Sequence, residues 1–143
     1  PNSGTVVGAS LTKDRFNRVN SAYFFNRSGY IEVPAAPFTN GTYTISAWVS
    51  PASFPPAMGA YTIFSFGEPN QVLTISNNPS LGGPAWNFFS YNASGSIIVS
   101  NSVEVNVWKH ITAIRTVDSL RLYVNGELAQ RVALTNAGSL TYT

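Results

Sequence analysis

The dipeptide Asn125-Gly126 sits between two runs that alternate or are rich in strand formers, Leu120-Arg121-Leu122-Tyr123-Val124 before it and Glu127-Leu128 onward after it. Asn-Gly supplies positive φ at both centres of a type I′ turn, whose twist matches the strands it joins. A third run, Trp108 to Arg115, leads into the pair through Val117-Asp118-Ser119. Val107 to Leu134 is therefore predicted as a three-stranded antiparallel meander. A meander of this kind must bury one face, so the rest of the chain has to supply an opposing layer.

The remaining sequence offers that layer. Thr5 to Leu11 is predicted as one strand, and Ser21 to Asn26 with Gly29 to Pro34 as the two strands of a hairpin around Arg27-Ser28, ended by Pro34 and Pro37. From Tyr43 to Ser50 the residues alternate, Tyr43, Ile45, Ala47 and Val49 on one side and Thr44, Ser46, Trp48 and Ser50 on the other. Ala60 to Gly67, Gln71 to Ser76, Ala85 to Asn92 and Ser96 to Ser100 are further strands, separated by Pro- and Gly-rich loops. No sustained 3.6-residue apolar period and no internal repeat interrupts them. The expectation is an all-β chain of paired antiparallel sheets with Greek-key connections.

Composition narrows the class. At 143 residues the chain suits a single domain spanning 1–143, long enough to bury a full core. Its eight Lys and Arg are scattered, so no basic stripe tracks a nucleic-acid backbone. The pI near 9.2 reflects sparse titration, charged residues being only 10% of the chain. With no Cys, neither disulfides nor thiolate chemistry is available, and packing has to hold the fold. No apolar run approaches the roughly 20 residues of a membrane helix, so membrane insertion is not expected.

Three separated blocks resemble laminin-G-like (LamG) domains of the concanavalin A-like lectin superfamily, bacterial type. They are Gly4 to Asn17 with Asn20-Ser21-Ala22-Tyr23-Phe24-Phe25-Asn26 and Tyr30-Ile31-Glu32-Val33; Thr44-Ile45-Ser46-Ala47-Trp48-Val49; and Trp108-Lys109-His110 with Leu120-Arg121-Leu122-Tyr123-Val124-Asn125-Gly126-Glu127. The resemblance implies a two-sheet antiparallel jelly-roll sandwich and a non-catalytic binding or adhesion role. It also implies that Trp48 and Trp108, each inside a family-like apolar block, belong to the core. The family's usual opening and closing strands have no counterpart among these residues. The expectation is either a fragment or a chain whose sheet is completed by another copy or a neighbouring domain through strand addition.

Enzymes of that superfamily use paired carboxylates roughly 5 to 9.5 Å apart. Here Asp14, Glu32, Glu68, Glu104, Asp118 and Glu127 lie far from one another in sequence, so no hydrolytic pair is expected. His110 is the single His, which excludes a multi-His metal site within the chain and favours a structural role, with the ring packed near Trp108. The resemblance further nominates Asp14 for a structural calcium, an ion that needs six to eight oxygens.

Sugar recognition uses an aromatic platform flanked by amide or hydroxyl groups. Trp86 with Asn87, Tyr91 with Asn92, and Tyr61 in the preceding strand form the best such set in sequence, next to the Gly82-Gly83-Pro84 loop. Asn26, Asn40 and Asn92 open N-glycosylation patterns that a chain so rich in Asn, Ser and Thr produces by chance. The sequence reading is thus a secreted, cell-surface or particle-surface module binding a glycan or surface protein. The alternative is a structural subunit of a filament, appendage or virion assembled through neighbouring chains.

Overall fold

The computed structural model describes residues 3–33, 42–66, 71–90 and 95–134. They gather into two compact units, Pro1–Pro37 and Phe38–Thr143. Among the described residues every extended element is a β-strand in an antiparallel pairing, and the one helical element is a 3-10 turn at Pro79–Leu81. The all-β expectation is met.

In the first unit β1 (Thr5–Val7) pairs with β4 (Tyr30–Glu32), and β2 (Ser10–Thr12) pairs with β3 (Ala22–Phe24). This corrects two expectations. Thr5 to Leu11 is not one strand, because Gly8 at φ 66° turns the chain between β1 and β2. Nor do the two following segments form a hairpin with each other. Each instead returns along one half of the bent N-terminal arm.

The second unit holds two four-stranded sheets. One has the order β12-β11-β10-β5, built from β5 (Tyr43–Val49), β10 (Lys109–Arg115), β11 (Ser119–Val124) and β12 (Glu127–Ala133). The other has the order β6-β7-β8-β9, built from β6 (Ala60–Phe66), β7 (Gln71–Asn78), β8 (Gly83–Ser90) and β9 (Gly95–Ser100). The predicted meander is β10-β11-β12. Its second turn has the expected geometry, Asn125 at φ 54° and Gly126 at φ 86°. The Asn125 side chain adds a clasp there, its Oδ1 accepting the His110 backbone N–H at 2.9 Å.

Alternation decides which residues meet between the sheets. From the first sheet Tyr43, Ile111, Ala113, Leu120 and Leu122 point inward; from the second, Leu73, Ile75, Trp86, Phe88 and Ile97 do so, all buried in one cluster. Tyr43 and Phe88 meet edge to face with ring centroids 6.4 Å apart, a favoured aromatic geometry. At one end the interior turns polar, where the Tyr43 hydroxyl donates to Gln71 Oε1 at 3.3 Å and Arg115 Nε to Ser90 Oγ at 3.3 Å.

Candidate functional site

The period of two that fills the core also fixes what each sheet shows on its other side. On the outer face of β12-β11-β10-β5 the register builds three rows. Trp48 lies opposite His110; Ser46 opposite Thr112, then Tyr123 and Leu128; Thr44 opposite Ile114, then Arg121 and Arg131. Trp48 is 43% exposed, so the expectation that it lies in the core is corrected. Its neighbours Ala47 and Val49 take the inward positions, and strand geometry overrides the apolarity of its ring. Trp108 is half-buried and is absent from the central cluster.

The Trp48 ring is held in place from the side. His110 packs against it with ring centroids 5.1 Å apart and planes tilted 36°. The His110 ring is fixed in turn by Ser46, whose Oγ lies 2.8 Å from Nε2 and 3.3 Å from Thr112 Oγ1. The ring partner of His110 is therefore Trp48, where Trp108 was expected, and its hydrogen-bonding neighbour is Ser46. The result is a fixed indole beside a row of hydroxyls and a phenol. Such a surface can stack on the apolar face of a sugar ring and hydrogen-bond its hydroxyls.

The residues nominated from sequence are distributed differently. Trp86 is 0% exposed, inside the core, with its Nε1 donating to Ser102 O at 3.4 Å, and it presents no surface to a ligand. Asn87 follows it in β8 and so points to the opposite side of the sheet, where it is 7% exposed. Its Nδ2 donates to Ser76 Oγ, while its Oδ1 and the Oγ1 of its cross-strand neighbour Thr74 are buried without a hydrogen-bond partner. Tyr61 is half-buried at the start of β6, its hydroxyl 3.2 Å from Ser53 Oγ and donating to Phe54 O at 3.1 Å. Tyr91 and Asn92 lie outside the described residues, as do Asn40 and Glu68, while Asn26 is exposed. The nominated set is therefore not one site, since strand alternation separates its first two members.

Asp14 does not fit a calcium. Its Oδ1 accepts the backbone N–H groups of Phe16 and Arg18 at 2.9 and 3.0 Å, and its Oδ2 accepts Arg18 Nε at 2.8 Å and pairs with Nη2 at 2.6 Å. Both oxygens are occupied by donors, and the adjoining Arg18 guanidinium opposes a second positive charge there. Among the described residues no group of three or more His, Asp or Glu converges. Partial burial works to raise the Asp14 pKa, but the Arg18 and backbone hydrogen bonds and the Arg18 charge outweigh it and hold the group below its ordinary value of 3.8. A depressed folded pKa contributes stability that is present above the unfolded pKa and lost as pH falls through the folded one. The Asp14 to Arg18 loop should therefore stay closed at neutral pH and open with a midpoint below 3.8, followed by the Phe16 and Arg18 amide resonances. The Asp14→Asn variant should show no such transition.

Other described carboxylates are also engaged. Glu104 pairs with Lys109, and Asp118 accepts the Thr116 and Ser119 hydroxyls at 2.6 and 3.0 Å. A shallow depression of about 400 Å³ lies beside the Asn125-Gly126 turn, where Val99 and Ser102 face Val124, Glu127 and Leu128. Among the described residues Glu127 is the only carboxylate lining it, and they form no acid and base pair there.

Two opposed antiparallel sheets with a core of alternating residues define a β-sandwich of the lectin type. The chain belongs to the laminin G-like family (Laminin G 3) of the Concanavalin A-like lectin/glucanases superfamily, whose profile matches residues 25–143. Among solved structures it is similar to domain 4 of AbnA, a GH43 extracellular arabinanase from Geobacillus stearothermophilus, determined in complex with arabinotriose. That match has a TM-score of 0.66 and 17% identity, and covers 97% of this chain and 68% of that one. At this identity the likeness speaks to the fold. No curated protein matches the sequence. No described helix is long and apolar enough to cross a membrane.

Proposed function

We propose that this chain is a non-catalytic glycan-binding module of an exported or surface-displayed protein, and that it reads an oligosaccharide laid across the outer face of β5, β10, β11 and β12. The observation that carries the reading is Trp48. A large indole 43% exposed on a regular sheet face, braced by His110 and bordered by Ser46, Thr112 and Tyr123, is a platform without a core function. The family's lectin lineage and the arabinotriose complex of the similar arabinanase domain support a sugar as the occupant. Recognition through a flat strip of this kind is shallow, and adhesion through it would depend on many copies acting together.

Calorimetric titration with arabino-oligosaccharides and a wider glycan array tests the reading. Trp48→Ala should weaken binding about tenfold or more, the order expected for losing one stacked ring. Its unfolding midpoint should move little, because the side chain contributes nothing to the central cluster. Wild-type strength in Trp48→Ala, or an array on which no glycan binds, would overturn it.

A further inference from the structure

The far row of the same face has a different chemistry. Arg121 and Arg131 are direct cross-strand partners, and like charges placed opposite each other oppose strand pairing. Arg121 is half-buried, and its Nε is shielded from solvent without a hydrogen-bond partner. The described ion pairs are Asp14 with Arg18 and Glu104 with Lys109, so neither arginine has a described carboxylate in contact. Asp118, at the turn into β11, feels the charge of Arg131, but its oxygens accept the Thr116 and Ser119 hydroxyls. Two arginines thus face each other across one strand pair, with one buried donor unused.

We infer that Arg121 and Arg131 form a clamp for the carboxylate of an acidic saccharide, so that the module selects uronate-bearing glycans over neutral ones. This rests on the glycan-binding reading and names its ligand class. A planar carboxylate accepts from a guanidinium in a two-point fork and relieves the repulsion between the two cations. The row is four residues along the strands from Trp48, about 13 Å at the usual rise, and Arg121 and Arg131 lie two and three strands across from it at about 4.8 Å per strand, so the ligand runs diagonally over the face. An oligosaccharide stacked on Trp48 at one end therefore presents an acidic unit to the arginines at the other. Between them lie Ser46, Thr112 and Tyr123, the polar row that spans the distance.

The test compares galacturonate, glucuronate and mannuronate oligosaccharides with the same chains after reduction of their carboxyl groups. The wild-type protein should bind at least one acid about tenfold more tightly than its reduced form, with the difference shrinking as salt rises. Arg121→Gln and Arg131→Gln should each abolish that difference and leave the reduced chain bound as before. Both variants should unfold at the same temperature as the wild type or higher, since a repulsive pair has been removed. Equal binding of acid and reduced forms, no binding of any acid, retained preference in both variants, or marked destabilisation by either would overturn the inference. Trp48→Ala separates the two readings. Loss of acid and neutral chains alike upholds the platform whatever the arginines do, whereas loss of preference in the arginine variants with unchanged Trp48→Ala upholds the clamp alone.

Discussion

Trp86→Ala should cost about 3 to 5 kcal/mol of folding stability, the range for emptying a buried aromatic site, and no other single truncation described for this chain removes as much packed surface. Its ring is 0% exposed in β8, between β7 and β9, in a cluster with Leu73, Ile75, Phe88 and Ile97. The change leaves a cavity that strands hydrogen-bonded on both sides cannot close, and it deprives Ser102 O of the indole donor. Trp86→Phe refills much of the volume and should recover more than half of the loss. Urea titration monitored by circular dichroism measures both. An Ala variant within about 1 kcal/mol of wild type would mean that the ring is not packed as described.

Gly29→Ala should disrupt the first unit. A Cβ built at Gly29 falls 2.7 Å from Gly8 C, 2.8 Å from Ala9 N and 2.8 Å from Gly8 O, all backbone atoms that no rotamer change can move aside. The two glycines meet where the arm bends between its two pairings, β1 with β4 and β2 with β3. Separating them strains both pairings, at a cost of about 1 to 3 kcal/mol by analogy with overpacked cores. Accelerated amide exchange confined to residues 5–32 is the expected signature. Unchanged exchange there would show that the contact yields without penalty.

The strands of the second unit were legible because their signals are local. Alternation in Tyr43 to Val49 and the Asn125-Gly126 turn each specify their own geometry. The face of Trp48 was legible too, since its parity with Ser46 places it outward, yet the apolarity of the ring and of its surrounding block pointed to the core. Trp86 and Asn87 present the converse case. Adjacent in sequence they look like one constellation, but consecutive side chains leave a sheet on opposite sides.

What the sequence could not disclose is register. Arg121 and Arg131 are ten positions apart, and they stand opposite each other only because the β11 and β12 pairing shifts between Leu122 and Tyr123. The pairing of the first unit was hidden for a related reason. Whether Gly8 bends a strand or ends it depends on what Gly29 lets come close, and no short-range pattern records that contact.

The same register shift has a consequence for solubility. Among the described strands β12 flanks its sheet, a position where a straight, uncharged strand would template the addition of a second molecule. A bulge spoils that template by bending the ladder, and the outward charge of Arg131 sets a cation against any like strand that approached in register. Copies of this chain at high concentration can therefore crowd one another without fusing through this edge into amyloid-like ribbons.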